Sequence, residues 1–187
     1  MRVISGTCRG KKLFAPHGTT TRPTSDRVKE SLFGILSNRI DFTGIRVLDI
    51  CAGTGSLGIE ALSRGARSCC FIESNFSVKT VLEKNICVTR CQERSEIITL
   101  DADKALPLIS ARGQRFELVF FDPPYDSVLY GSVPESLDTL SVLTSGSILA
   151  AECSARNTLS ETYGRLKRFD RRVYGETALE LFFLEET

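Results

Sequence analysis

The chain has no long hydrophobic run, only one histidine and no pair of cysteines in CxxC spacing. Each absence closes off a class. A membrane helix needs roughly 20 consecutive apolar residues, and no run in the 187 residues approaches that length. The apolar core of a signal peptide does not follow Met1-Arg-Val-Ile4. A cytoplasmic location is therefore expected, with no membrane. With His17 as the single histidine, a zinc site is not expected. The seven cysteines (Cys8, Cys51, Cys69, Cys70, Cys87, Cys91 and Cys153) are odd in number and scattered. They read as reduced thiols serving as small buried hydrophobes rather than as a disulfide scaffold. Internal repeats, low-complexity segments and long linkers are also missing. What remains has the size of one α/β domain with a modest attachment, at an ordinary 42% hydrophobic and 25% charged residues.

The most informative stretch is Asp49-Ile-Cys-Ala-Gly-Thr-Gly-Ser-Leu-Gly58. The β-branched run Ile45-Arg-Val-Leu48 precedes it and reads as a buried parallel strand. Ser56 to Gly65 follows with helical spacing and a terminal glycine. Strand, glycine turn and helix make a nucleotide-binding beginning. Gly53 and Gly55 permit a tight turn and a close ligand approach. The first amides of the helix are expected to be unpaired and ready for polar or anionic groups. Two cofactor classes fit. Gly53-x-Gly55-x-x-Gly58 satisfies the dinucleotide fingerprint, with Glu73 spaced to hold a ribose. A carboxylate at Asp49, however, repels a pyrophosphate and attracts the ammonium and sulfonium of S-adenosylmethionine. The alternative for Asp49 is a plain cap of the turn.

The second informative stretch is Asp122-Pro-Pro-Tyr125, directly after the apolar run 116–121. Two prolines fix φ and remove two amide donors. The result is a stiff turn offering carbonyl oxygens and a carboxylate, with Tyr125 as a flat ring beside them. Such an acceptor cluster suits a planar base with an exocyclic amine.

Charge is unevenly spread. Residues 1–40 hold eight Lys and Arg (among them Arg9, Lys11, Lys12, Arg22 and Arg27) against Asp26 and Glu30, a local +6. The whole chain carries +1, which leaves −5 to the rest. A basic arm on a mildly acidic domain points to a polyanionic partner. In that arm, residues 1–14 read as two short strands around Gly6 to Gly10, with Val3 and Ile4 facing Leu13 and Phe14. Thr24 or Ser25 is expected to cap a helix over 26–36. Its apolar stripe would be Val28, Leu32, Ile35 and Leu36, with Arg27 and Lys29 exposed. Further strands are expected at 68–72, 96–100, 116–121, 147–152, 166–174 and 177–184, the last two as a hairpin. Helices are expected at 76–88 and 137–143. The acid Asp101 ends the third strand, either to receive an adenine amine or to cap the next helix.

Asp49-x-x-x-Gly53-x-Gly55 together with Asp122-Pro-Pro-Tyr125 resembles the amino-methyltransferases of nucleic-acid bases. Three stretches resemble the bacterial 16S ribosomal RNA guanine-N2 methyltransferases of the RsmD type. They are Arg9-Gly-Lys-Lys-Leu13, the run from Arg22-Pro23-Thr24 to Phe33, and 49–58 with Glu60-Ala-Leu-Ser-Arg64. The resemblance covers essentially the whole chain. It implies an α/β, Rossmann-like class I methyltransferase fold: a mostly parallel seven-stranded sheet with an antiparallel C-terminal hairpin strand. Residues 1–40 are expected to form a small β-hairpin and helix extension to a catalytic domain over 41–187. Implied cofactor contacts are Thr24, Asp49, Ala52, Gly53, Thr54, Gly55, Glu73, Ser74, Asp101, Ala102 and Asp122. The resemblance also implies that Asp122, Pro123 and Tyr125 act on the base and that Arg9, Lys11, Lys12, Arg22 and Arg27 hold RNA. The implied partner is 16S ribosomal RNA in a partly assembled small subunit, with a monomeric enzyme and no metal. An adenine-N6 methyltransferase uses the same tetrad. A nicotinamide oxidoreductase shares the glycine turn, and a non-catalytic RNA-binding module shares the arm.

Overall fold

The computed structural model describes residues 1–16 and 26–185. Thr24 and Arg22, both candidates above, lie outside the described residues, as do His17, Pro23 and Ser25. One eight-stranded sheet forms the centre, in the order β3-β2-β1-β4-β5-β8-β7-β6. Its parallel half comprises β1 (Arg46–Ile50), β2 (Ser68–Ile72), β3 (Ser95–Ile98), β4 (Phe116–Phe121) and β5 (Leu143–Ser154). β6 (Thr162–Tyr163), β7 (Leu166–Tyr174) and β8 (Thr177–Leu184) complete it antiparallel. Seven strands match the expected set; the eighth, β6, is a two-residue pairing too short to leave a periodicity.

Strand alternation divides the core between the two faces. Val47, Phe71, Leu118, Phe120 and Ala150 pack on one side, under α1 (Asp26–Ser37), α2 (Ser56–Ser63) and α3 (Phe76–Thr89). Leu48, Ile72, Val119, Phe121 and Ala151 pack on the other, under α4 (Ala102–Ala111) and α5 (Leu129–Thr139). A sheet covered on both faces explains why these strands read as continuous apolar runs. From β1 the chain runs outward to β2 and β3, then returns to β4 on the other side of β1. That reversal opens a crevice beyond the carboxyl ends of β1 and β4, where open α/β sheets bind ligands. Both informative motifs end at it.

Three local expectations change. The helix expected over 137–143 is α5, Leu129–Thr139, and Leu143 begins β5. Gly131 and Pro134 argue for a loop, but fully buried Val133 and Leu137 hold the helix against the sheet, so packing overrides propensity. At the amino terminus a single bridge joins Arg2 to Lys12 in place of two strands, and the Val3 amide donates to the Lys11 carbonyl at 2.9 Å. The register therefore differs from the expected Val3–Leu13 pairing. A 3-10 turn, Gly6–Cys8, fills the loop, and a Cβ on Gly6 would stand 1.8 Å from the Ser63 carbonyl oxygen, so this turn is pressed onto the end of α2.

The third change is Lys29, expected in solvent and found fully buried. Its Nζ donates to the Arg2 carbonyl at 2.6 Å and lies 3.9 Å from Glu60 Oε2. Glu60, equally buried, accepts from the Ile4 amide at 2.7 Å, the Ser5 amide at 3.0 Å and Arg64 Nε at 2.9 Å. Burial lowers the Lys29 pKa, and the attraction of Glu60 only partly offsets it. This cluster ties the first residues and α1 to α2, and through α2 to the glycine turn.

Candidate active site

The turn after β1 is built by its own carboxylates. Asp49 is 2% exposed, and its Oδ2 accepts from the Gly58 amide at 2.9 Å. Glu73, at the end of β2, accepts from the Gly53 amide at 2.9 Å through Oε2 and from the Asn75 amide at 2.8 Å through Oε1. Of the helix-start donors expected to be unpaired, the Gly58 amide is thus taken by Asp49, and in the turn before the helix the Gly53 amide is taken by Glu73. With those two amides taken, the turn is poorly suited to a phosphate, and the Glu73 carboxylate suits a cationic group. Asp49 acts through the turn: it lies beneath it as a cap rather than on its surface.

Burial pushes the Asp49 carboxyl up to about 8, against an ordinary 3.8, with the Gly58 amide opposing and Glu73 adding to the shift. A raised folded-state pKa means that the native protein holds a proton the unfolded chain has lost between these values. Stability contributed by this group is therefore full below about pH 4 and lost as pH rises towards about 8. Asp49→Asn should flatten that decline, as read by chemical denaturation at pH 5 and pH 8.

The glycines divide their roles. Gly53, at φ +55°, has only the Cys51 carbonyl oxygen near its absent Cβ, at 3.9 Å, so space in front of it is open. Gly55 was expected to face a ligand as well. A Cβ there would stand 2.3 Å from Leu82 Cδ1, and one at Gly58 would stand 2.4 Å from Phe71 Cε1. Both serve close packing of α2. Cys51 adopts the left-handed region at φ 60°, unusual for a residue with a side chain, and half-buried Ala52 and Thr54 follow it. Asn85, fully buried in α3, donates to the Thr54 carbonyl at 2.9 Å and the Phe14 carbonyl at 3.0 Å. It joins the amino-terminal arm to the turn. Ser74 is exposed beside Glu73. Asp101 is the exposed first residue before α4, with no side-chain cap bond and Lys104 Nζ 3.8 Å away, while Ala102 is buried behind it.

At the end of β4 the Asp122 amide donates to the Ile50 carbonyl at 3.3 Å, which holds the tetrad beside the glycine turn. Pro123 is buried and Tyr125 half-buried. The Tyr125 hydroxyl bonds Thr177 Oγ1 at 2.7 Å, fixing its ring against the start of β8. Tyr130 contributes a brace that sequence reasoning missed. Its hydroxyl lies 2.9 Å from the Glu152 carbonyl and 3.2 Å from that of Pro123. Burial raises its pKa far above the ordinary value, so it stays a neutral donor. Tyr174, paired with Thr177 across the β7–β8 turn, bonds Ser31 of α1.

The expected RNA contacts are placed unequally. Arg9, Lys12 and Arg27 are exposed. Lys11 instead donates to the Val88 carbonyl at 2.9 Å, in the last turn of α3. A concavity of about 610 Å³ lined by Ser5, Arg39, Asp41, Phe42 and Arg64 holds none of the candidates. No cluster of metal-ligating side chains occurs among the described residues.

The family model described as conserved hypothetical protein 95 matches residues 1–183. The Bacillus subtilis protein YlbH is 36% identical, with 97% of this chain and 98% of that one covered. The Escherichia coli ribosomal RNA small subunit methyltransferase D is 30% identical, with 97% and 89% covered. The solved structure of Escherichia coli yhhF has a TM-score of 0.85 at 30% identity, covering 100% of this chain and 99% of that one. With its glycine turn, its tetrad and its full-length match, the chain belongs to the conserved hypothetical protein 95 family, that of the small-subunit ribosomal RNA methyltransferase D proteins.

Proposed function

We propose that the chain transfers a methyl group from S-adenosylmethionine to the N2 amine of a guanine in 16S ribosomal RNA, presented by a partly assembled small subunit. The observation that carries this reading is the Asp122-Pro-Pro-Tyr125 turn, tethered by the Asp122 amide to the end of β1. The same crevice holds a glycine turn whose Gly53 and Gly58 amides are closed to phosphates. That chemistry disfavours a dinucleotide and therefore an oxidoreductase.

When bound, S-adenosylmethionine supplies an electrophilic methyl on a positively charged sulfur. Glu73 would accept hydrogen bonds from the cofactor's ribose hydroxyls, the carbonyls around Gly53 would receive its ammonium, and Asp101 and Ala102 would flank its adenine. The lone pair of an aromatic amine is delocalised into its ring, so the amine is a poor nucleophile. The Asp122 carboxylate and the Pro123 carbonyl accept its two N–H bonds and favour the pyramidal form with a free lone pair. Tyr125 offers a face on which the splayed base stacks. No amide donor at Pro123 or Pro124 competes for those acceptors. After transfer the nitrogen loses a proton, with Asp122 as a nearby acceptor. Most of the acceleration comes from positioning and from preorganised charge. Labelled methyl transfer to small subunits from cells lacking this protein tests the reading. Incorporation into 16S RNA as N2-methylguanosine supports it, and no incorporation, or incorporation as N6-methyladenosine, overturns it.

The exposed cations of the arm provide phosphate contacts. The double variant Arg9→Ala/Lys12→Ala should weaken RNA binding and reduce the slope of log affinity against log salt by about two. Lys11→Ala should act mainly on the end of α3, through stability.

A further inference from the structure

Asp122, Pro123 and Tyr125 account for holding an amine, but not for choosing guanine over adenine, since both purines present one. The choice requires a group that reads the neighbouring ring nitrogen. In guanine N1 carries a proton; in adenine N1 is a bare acceptor.

Glu152 occupies the position for such a reader. Phe121 of β4 is in parallel register with Ala151 of β5, so the next residues, Asp122 and Glu152, stand side by side at the strand ends. Adjacent strands are about 4.8 Å apart, so side chains from the two positions can converge on neighbouring donors of one purine edge. Phe120 and Ala150, each two residues earlier, both pack on the α1–α3 face. Alternation places Asp122 and Glu152 on that same face. Glu152 is only 6% exposed, an uncommon setting for a carboxylate, and it directly follows the apolar run 148–151 of β5. Its carbonyl and that of Pro123 share the Tyr130 hydroxyl, at 2.9 and 3.2 Å, which ties the tetrad to this point of β5. Two residues farther along, Ser154 pairs with Thr177, the anchor of the Tyr125 ring. Glu152 is thus framed by the groups assigned to the amine and to the base stack.

We propose that Glu152 determines base specificity: its carboxylate accepts the N1–H of guanine while Asp122 and Pro123 hold the N2 amine. The same carboxylate repels the N1 lone pair of adenine. Accepting the N1–H also returns electron density to the ring and to the N2 nitrogen. This inference rests on the guanine reading above.

The test uses the full-length enzyme and small subunits reconstituted with one altered residue at the methylated position. The alteration is 2-aminopurine, which keeps the C2 amine and presents N1 as an acceptor. Wild-type enzyme should prefer guanosine by about 10²-fold in kcat/KM. Glu152→Gln can turn an N–H towards N1, so the preference should fall below about tenfold, with cofactor affinity unchanged. Comparing two enzymes on the same two substrates cancels the intrinsic reactivity of the amines. An unchanged preference in Glu152→Gln, whatever its overall rate, overturns the assignment and leaves Glu152 a structural residue. Should that variant fold poorly, Glu152→Ala gives the same ratio test, with the same collapse expected. Product analysis of the wild-type reaction separates the two levels. N2-methylguanosine with an unchanged ratio refutes only the role of Glu152, whereas N6-methyladenosine refutes the guanine reading and this inference with it.

Discussion

Asp122→Ala should lower kcat by about 10³-fold, the scale seen when one preorganised polar group that stabilises a transition state is removed. Cofactor affinity, measured by calorimetry, should change by less than about threefold, because Glu73 and the glycine turn provide the remaining contacts. The split follows from geometry. Asp122 reaches the crevice from the end of β4, whereas the turn is organised by Asp49 and Glu73 on β1 and β2. Removing Asp122 leaves the Pro123 carbonyl as an acceptor but withdraws the negative charge that supports a nitrogen turning cationic. Asp122→Asn keeps an acceptor oxygen without the charge and should fall between wild type and alanine. Full turnover in Asp122→Ala would remove this carboxylate from the mechanism.

The second large effect is on stability. Glu60→Ala strands a buried Lys29 ammonium, the Arg64 guanidinium and the Ile4 and Ser5 amides. Breaking a buried charged cluster from one side costs about 3–5 kcal/mol, which lowers Tm by about 10 °C in a chain of this size. Lys29→Met should be far milder. It removes a charge whose burial is unfavourable, and it leaves Glu60 bonded to two amides and Arg64. Equal losses in the two variants would contradict this description. Glu60→Ala should also loosen the amino-terminal arm, visible as faster hydrogen exchange at the Ile4 and Ser5 amides.

Much of this molecule is readable in the sequence because its key motifs are local. The glycine turn and the tetrad each lie within ten consecutive residues, and each is placed by the strand before it. Buried parallel strands announce themselves as apolar runs, so the sheet and the position of the crevice follow. What escaped detection depends on long-range pairing. Lys29 looks like a solvent-facing helix cation until Glu60, thirty-one positions later, is brought beneath it. Tyr130 gains its role only through the packing of α5 beside Pro123, and Thr177 only through the placing of β8 beside Tyr125. Glu152 carried a signal, a carboxylate directly after the apolar run 148–151, but its neighbour Asp122 becomes apparent only from the β4–β5 pairing. Asn85 is a polar residue beside Leu82 and Ile86 on the buried face of α3, and its partners Phe14 and Thr54 are remote in sequence. The offset of α5 has another cause: Gly131 and Pro134 disfavour a helix, and burial of Val133 and Leu137 wins.

The most direct test of the central claim is mass-spectrometric nucleoside analysis of 16S ribosomal RNA from cells with and without this protein. One N2-methylguanosine should disappear on deletion and return with the wild-type chain but not with Asp122→Ala. An unchanged N2-methylguanosine content, or the loss of N6-methyladenosine instead, would contradict it.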